Sequence, residues 1–331
     1  MATALVLGAT GGIGGEMAAA LLRRGWQVRA LHRRAAAMAG RDGLAWLPGD
    51  AMVREDVVAA AAGARLIVHA VNPPGYRDWD KLVLPMLDSS IAAARASGAR
   101  LLLPGNVYNY GPDALPLVGE TAPQQPQTRK GAIRVEMESR LRAAAGRDNI
   151  RALVVRAGDF FGPRAGSTWF SQGLVKPGRV PRAITWPGHG KGRGAGHSWA
   201  YLPDLAETMA RLAEREAELP AFDSFHFGGH VDADGTAMIA AIRAACARPD
   251  LRVRRFPWFA LPLLAPVMPL FRELHEMRHL WRDALRLDNA KLTAFLGAEP
   301  HTPLAQAVAE TLGGLGCLPQ AEGGTAIPAA A

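Results

Sequence analysis

The chain has 331 residues, 49% of them hydrophobic and 21% charged, and a net charge of +8 at pH 7. That length and apolar share suit one large folded unit with a smaller lobe, and they exclude a disordered chain. The basic residues are dispersed rather than gathered in one stripe, which favours a small anionic ligand over a nucleic acid.

Short apolar runs alternate with helical patterns through the first half, as a parallel doubly wound sheet requires. Residues 4–7 are expected to form a buried strand, 12–24 an amphipathic helix closed by Gly25, and 27–31 the second strand. Strands follow at 44–47 and 66–70, then a long helix over about 78–97 and a fifth strand at 100–103. Beyond a Pro/Gln-rich loop, 130–145 is helical and 151–156 is the sixth strand. The segment 158–199 is dense in Gly, Pro and Trp without periodicity, and is expected to be loop outside the sheet. A helix at 204–216 and a strand at 222–227 come next, and 235–312 is expected to be mostly helical.

Within that last part, 256–271 is the most apolar stretch, broken by Pro257, Pro262, Pro266 and Pro269. A bilayer span needs roughly 20 apolar residues, so the stretch reads as the wall or lid of a pocket rather than a membrane segment. No signal peptide is expected ahead of a strand that starts near Thr3, which points to the cytoplasm. Cys246 and Cys317 stand far apart, with neither a disulfide framework nor metal-ligand spacing, so no metal is expected. The expected fold is α/β: a Rossmann-type doubly wound parallel sheet with a smaller, mainly helical C-terminal substrate lobe. The expected division is 1–160 for the nucleotide-binding domain, 161–318 for the lobe, interleaved with the last sheet elements, and 319–331 for a flexible tail.

The run Gly8-Ala9-Thr10-Gly11-Gly12-Ile13-Gly14-Gly15 follows the first strand and opens the first helix. Gly8 suits a tight turn, Gly11 a close backbone approach to a phosphate, and Gly14 close helix–sheet packing, while the helix N-terminus offers N–H groups to a pyrophosphate. Strand, turn and helix in register mark a dinucleotide site. The second strand ends in His32-Arg33-Arg34, with no acid before Asp42. A carboxylate there would hold the ribose 2′-hydroxyl of NAD; an arginine fork suits the 2′-phosphate of NADP(H).

Further pieces resemble the extended short-chain dehydrogenase/reductase superfamily, which includes nucleotide-sugar epimerases and dehydratases. Gly49-Asp50-Ala51 resembles its adenine-contacting acid, and Ala70-Val71-Asn72 the segment lining the cofactor ribose. Val107-Tyr108-Asn109-Tyr110-Gly111 resembles its "vYG" signature. Arg156-Ala157-Gly158-Asp159-Phe160-Phe161-Gly162-Pro163 resembles the strand end beside the nicotinamide, which brings Ala157 and Phe160 to the cofactor. Leu202-Pro203-Asp204-Leu205-Ala206 resembles its "V-x-D-x-A" helix start. The resemblance covers roughly 3–245 and implies a small-molecule substrate; it leaves a homodimer open.

The catalytic tetrad does not carry over. The superfamily's Ser/Thr falls on Asn106, and aligning its Glu with Glu136 puts the Tyr on Thr128 and the Lys on Ala132. The Arg of its sugar-nucleotide enzymes falls on His197. Candidate replacements are Asn106 as a donor to a substrate carbonyl, Tyr108 as an acid, and Lys130 near the start of the helix that bears the pair. His197, Trp199 and Tyr201 alternate and would either face the pocket or pack as a strand. Three functions fit. The first is an NADPH-dependent reductase of a small apolar carbonyl or enone, in keeping with Phe160, Phe161, Trp169, Trp186, Trp199 and Trp258. The others are a non-catalytic NADP(H)-sensing regulator and a nucleotide-sugar epimerase or dehydratase.

Overall fold

The structure, a computed structural model, describes residues 1–73, 78–148, 150–188, 196–261, 276 and 278–318. The tail expected at 319–331 and the stretch 262–271 lie outside the described residues. The first half runs β1 (Thr3–Leu7), α1 (Gly12–Arg23), β2 (Gln27–His32), β3 (Ala45–Pro48), α2 (Arg54–Ala60), β4 (Leu66–His69), α3 (Trp79–Ser97), β5 (Arg100–Asn106), β6 (Leu117–Val118), α4 (Arg129–Arg147) and β7 (Arg151–Ala157). After it come β8 (Asp159–Phe161), β9 (Ala183–Trp186), β10 (His197–Tyr201), α5 (Leu202–Glu214), β11 (Phe222–His226), β12 (His230–Asp232), α6 (Thr236–Ala245), β13 (Arg252–Arg255) and β14 (Arg286–Leu287).

Every residue of β1 is buried, because a parallel strand with helices over both faces meets protein on each side. Its side chains still alternate. Ala4 and Val6 join a core with Met17 and Leu21 of α1 and Leu205 and Met209 of α5, while Leu5 and Leu7 join Val83, Leu87, Met137 and Leu141 of α3 and α4. Among the described residues the central sheet has seven parallel strands in the order β11–β7–β5–β4–β1–β2–β3. This is the Rossmann-type doubly wound α/β architecture, with α2, which the sequence pattern did not reveal, added between β3 and β4.

The segment expected to be loop holds three strands. β8 and β10 pair in parallel, β12 joins antiparallel, and β9 pairs with β13. The alternating His197, Trp199 and Tyr201 pack as the strand β10, one of the two readings the pattern allowed, with all five residues buried. A π-helical turn at Trp169–Leu174 packs on this small sheet. Helices dominate the described C-terminal part (Thr236–Ala245, His279–Arg282, Ala290–Leu296, Leu304–Gly314), beside the short β13 and β14.

Candidate active site

Parallel strands bring their C-terminal ends to one edge, and the strand order reverses between β1 and β4, where such sheets open a crevice. Leu7 lies opposite both Leu31 and His69, so the turn after β1 stands between the ends of β2 and β4. Gly8 has φ +87°, and a Cβ on it would lie 2.5 Å from Ala70 O. A Cβ on Gly14 would lie 2.2 Å from Gly8 O, so both positions accept only glycine. Gly11 caps α1 without a side-chain hydrogen bond, and no acid occupies the first turn. The N–H groups around Gly12 and Ile13, next to exposed Thr10 and Gly11, therefore form a cradle for an anion such as a pyrophosphate.

At the end of β2, His32 packs edge-on against Trp46 at 5.8 Å and its Nδ1 accepts the Arg34 N–H at 3.1 Å. Arg33 and Arg34 are exposed, and among the described residues neither has an ion-pair partner. Asp50 donates its N–H to Asp56 Oδ2 at 2.9 Å and accepts from Met52 at 3.0 Å through Oδ1, with half-buried Ala51 beside it. Ala70 and Val71 are half-buried and Asn72 is exposed past the end of β4. Ala157 is buried opposite Asn106, and Phe160 packs on the sheet core. The residues assigned to a dinucleotide from the sequence thus share one edge.

Asn106 ends β5. Its Oδ1 accepts the Tyr108 N–H at 3.0 Å, which fixes the amide orientation because an N–H needs an oxygen there. Its Nδ2 then remains a donor at the C-terminal end of β5. Thr128 is the N-cap of α4: its hydroxyl accepts the Gly131 N–H at 3.0 Å, so it is a helix-capping group.

The alignment through Glu136 needs correction. On α4, Lys130, Arg134 and Glu138 are buried, four residues apart in one stripe, while Ala132 and Glu136 are exposed. The buried acid is Glu138, two residues later than the sequence alignment had it. Shifting by two puts Lys130 at the Tyr position of the superfamily pattern and Arg134 at the Lys position. Arg134 reaches Asn72 Oδ1 at 3.5 Å and lies 5.2 Å from the Trp79 ring centroid. The Lys-x-x-x-Arg-x-x-x-Glu spacing was in the sequence, but only the buried face shows which acid to count from.

Glu138 anchors a buried network that sequence reasoning missed. It binds Arg156 at 2.6 Å and Asn109 Nδ2 at 3.0 Å. Arg156 donates to His226 Nε2 at 3.0 Å, the same atom that Tyr110 Oη reaches at 3.0 Å. His226 Nδ1 donates to Val118 O at 3.0 Å, so Nε2 is the acceptor and the ring is neutral. Burial and then the Arg156 charge hold the His226 pKa down to about 3, and burial pushes the Tyr110 hydroxyl well above its ordinary range. His69, bound to Ser90 Oγ at 2.8 Å, is also held down to about 3, by burial and then by Arg134.

On the small sheet, His197 binds Asp159 at 2.8 Å and stacks on Trp281, with ring centroids 3.9 Å apart and planes 10° apart. Trp199, Tyr201, Phe161, Phe170 and Trp186 continue the aromatic cluster, and β10 packs as a strand with His197, Trp199 and Tyr201 all buried. Among the described residues no group of His, Cys, Asp and Glu could hold a metal ion, and no helix is long and apolar enough to cross a membrane.

Residues 4–228 match the model of the NAD dependent epimerase/dehydratase family. A 3-diazoavenalumate denitrifying reductase from a Streptomyces species is 30% identical over 176 residues, covering 49% of this chain and 57% of the reductase. The match therefore spans little more than half the length of that relative. Among solved structures, UDP-glucuronic acid 4-epimerase from Bacillus cereus, in complex with UDP-glucuronic acid and NAD, is 14% identical with TM-score 0.72, covering 95% of this chain and 98% of that one. UDP-glucose 4-epimerase from Thermus thermophilus, in complex with NAD, is 18% identical with TM-score 0.70 over the same shares of 95% and 98%. At these identities the likeness is one of fold.

Proposed function

This chain belongs to the NAD dependent epimerase/dehydratase family, and we propose that within it the protein is an NADPH-dependent reductase of a small, mostly apolar carbonyl or enone compound. The observation that carries the reading is the buried Lys130–Arg134 stripe of α4. Two cations occupy the helix face where this family carries its proton donor and the lysine beside it. A bound reduced nicotinamide supplies hydride to the substrate carbon. Lys130 donates a proton to the oxygen, Asn106 Nδ2 donates a hydrogen bond to it, and Arg134 holds the ribose segment through Asn72. The cradle at Gly11–Ile13 is assigned to the pyrophosphate, and the aromatic lobe to the apolar body of the substrate. A relative that is itself a reductase supports hydride transfer. With Arg134 and His197 at positions where sugar-nucleotide enzymes carry other residues, an epimerase reaction is the weaker reading.

Arg33 and Arg34 are assigned to the 2′-phosphate. A charge-assisted hydrogen bond contributes about 1.5–3 kcal/mol, enough for at least about tenfold preference over NADH. Calorimetry with NADPH and NADH, on the parent and on Arg33→Ala, tests this; equal affinities, or an undiminished preference in the variant, would sink it. Turnover is tested by the decay of NADPH fluorescence over a panel of aldehydes, ketones and enones. Lys130→Met should lower kcat by about 100-fold or more and leave NADPH affinity within about threefold. If no panel member is reduced while NADPH and NADP⁺ bind with clearly different affinities, the sensor reading replaces the reductase one.

A further inference from the structure

Asp159 and His197 form a buried acid–imidazole pair on the small sheet. Asp159 lies two residues beyond Ala157, which pairs with Asn106 on the sheet edge. A Cβ on Gly158 would lie 2.2 Å from Ser198 O, so the end of β7 touches β10 directly. In the register of the small sheet Asp159 faces Trp199, and His197 stands two residues earlier on the same face. Both side chains of the pair are less than a tenth exposed.

The hydrogen bonding fixes what the ring offers. A carboxylate only accepts, so His197 Nε2 carries the proton given to Asp159 Oδ2 at 2.8 Å. In the neutral ring Nδ1 then presents a lone pair, and among the described residues nothing donates to it. Asp232 of β12 lies opposite His197, but its carboxylate is held by the start of α6, with Gly235 N–H at 2.9 Å on Oδ1 and Met238 N–H at 2.9 Å on Oδ2. His230 of the same strand turns to His301, 4.4 Å away, and Arg282 and Asp283 beyond Trp281 pair with each other at 2.9 Å. Asp159 is thus the carboxylate that orients the ring.

Two indoles pack on the ring, Trp281 stacked on its face at 3.9 Å and Trp199 edge-on at 4.8 Å between ring centroids. The indole N–H groups of Trp199 and Trp281 are buried with no acceptor among the described residues. The cluster therefore combines an acceptor lacking a donor with donors lacking acceptors, inside apolar planes. A hydroxyl complements both, since it donates one hydrogen and accepts others, and a flat aromatic body suits the indoles.

We propose that the Asp159–His197 pair anchors the substrate and that it takes a hydroxyl group carried on an aromatic ring, a phenol. The proposal depends on the reductase reading only in calling that ligand a substrate. It is tested by calorimetry of the full chain with 4-nitrophenol and with nitrobenzene, two probes that differ in the hydroxyl alone. The parent is expected to bind 4-nitrophenol at least about tenfold more tightly than nitrobenzene. In His197→Phe, which keeps a ring against Trp281, and in His197→Gln that ratio is expected to fall below about threefold, while NADPH affinity stays within about twofold of the parent. Equal binding of the two probes by the parent, no binding of either, or an unchanged ratio in a folded variant would overturn it. The parent comparison decides the matter even if both variants misfold. No turnover is read, so a failed substrate panel removes the reductase reading and leaves this result standing.

Discussion

Arg156 at the end of β7 and Glu138 on α4 hold each other through three bonds, Nη2 to Oε2 at 2.6 Å and Nε to Oε1 at 3.0 Å and to Oε2 at 3.2 Å, with both side chains almost wholly buried. The pair fixes the rotation of α4 and with it the buried positions of Arg134 and Lys130, four and eight residues before Glu138 on the same face. Breaking one partner leaves the other as an uncompensated buried charge, which costs about 3–5 kcal/mol. Glu138→Ala should therefore destabilise the protein by about that much in urea unfolding. Glu136→Ala, at an exposed i,i+4 pair with Arg140, should change stability by less than about 0.5 kcal/mol. The opposite ranking would mean that the acid was counted correctly at Glu136.

Thr128→Ala removes the N-cap of α4 and should cost about 1 kcal/mol, recovered in Thr128→Ser. Turnover per folded molecule should stay close to the parent value, because the hydroxyl serves the helix. Loss of turnover in this variant would place the catalytic position at Thr128 and reject Lys130.

Asn106→Ala should lower kcat by on the order of 10–1000-fold if the amide donates to developing charge on the substrate oxygen. Asn106→Asp separates that role from a structural one. It keeps the acceptor for the Tyr108 N–H but removes the Nδ2 donor, so it should be comparably slow and fold normally. Near-normal kcat in Asn106→Asp would show that the residue only shapes the loop. NADPH affinity should change little in either variant.

Stability should fall as the solution is acidified below about pH 6.5. His69 and His226 are held down to about 3 and His230 to about 4, each chiefly by burial. The unfolded chain protonates these rings near 6.5, whereas the folded chain resists until the pH reaches those values. Between the two limits the unfolded state binds more protons, so unfolding gains ground with every step down. Glu207, lowered to about 2 by its bond to Arg24, adds a further loss between about 4.5 and 2. Melting temperature against pH checks this, and His69→Gln should flatten part of the slope. A constant melting temperature from pH 7 to 4 would contradict the buried neutral rings.

The central sheet was legible because its signals are local. A buried apolar strand, a glycine turn that tolerates no Cβ, and a helix following at once are written in adjacent residues, as β1, Gly8, Gly14 and α1 are. The family pattern at the ends of β5 and β7 is equally contiguous, and by itself it carries the fold class and the assignment of a nicotinamide cofactor. The lobe was less legible. The strand β10 owes its burial to β8, β12 and Trp281, none of which is its sequence neighbour.

The sequence alone determined where a phosphate-binding turn could form and that the usual Tyr-x-x-x-Lys pair is absent. Those properties depend on residue type over a few consecutive positions. Only the tertiary structure decided which stripe of α4 faces inward, because Lys130, Arg134 and Glu138 compete with Thr128, Ala132 and Glu136 at the same four-residue period. The choice is made by Arg156, which lies 18 residues from Glu138 along the chain and requires a carboxylate beside it once β7 is buried. The pairing of Asp159 with His197 has the same origin, the two lying 38 positions apart in sequence and 2.8 Å apart in space.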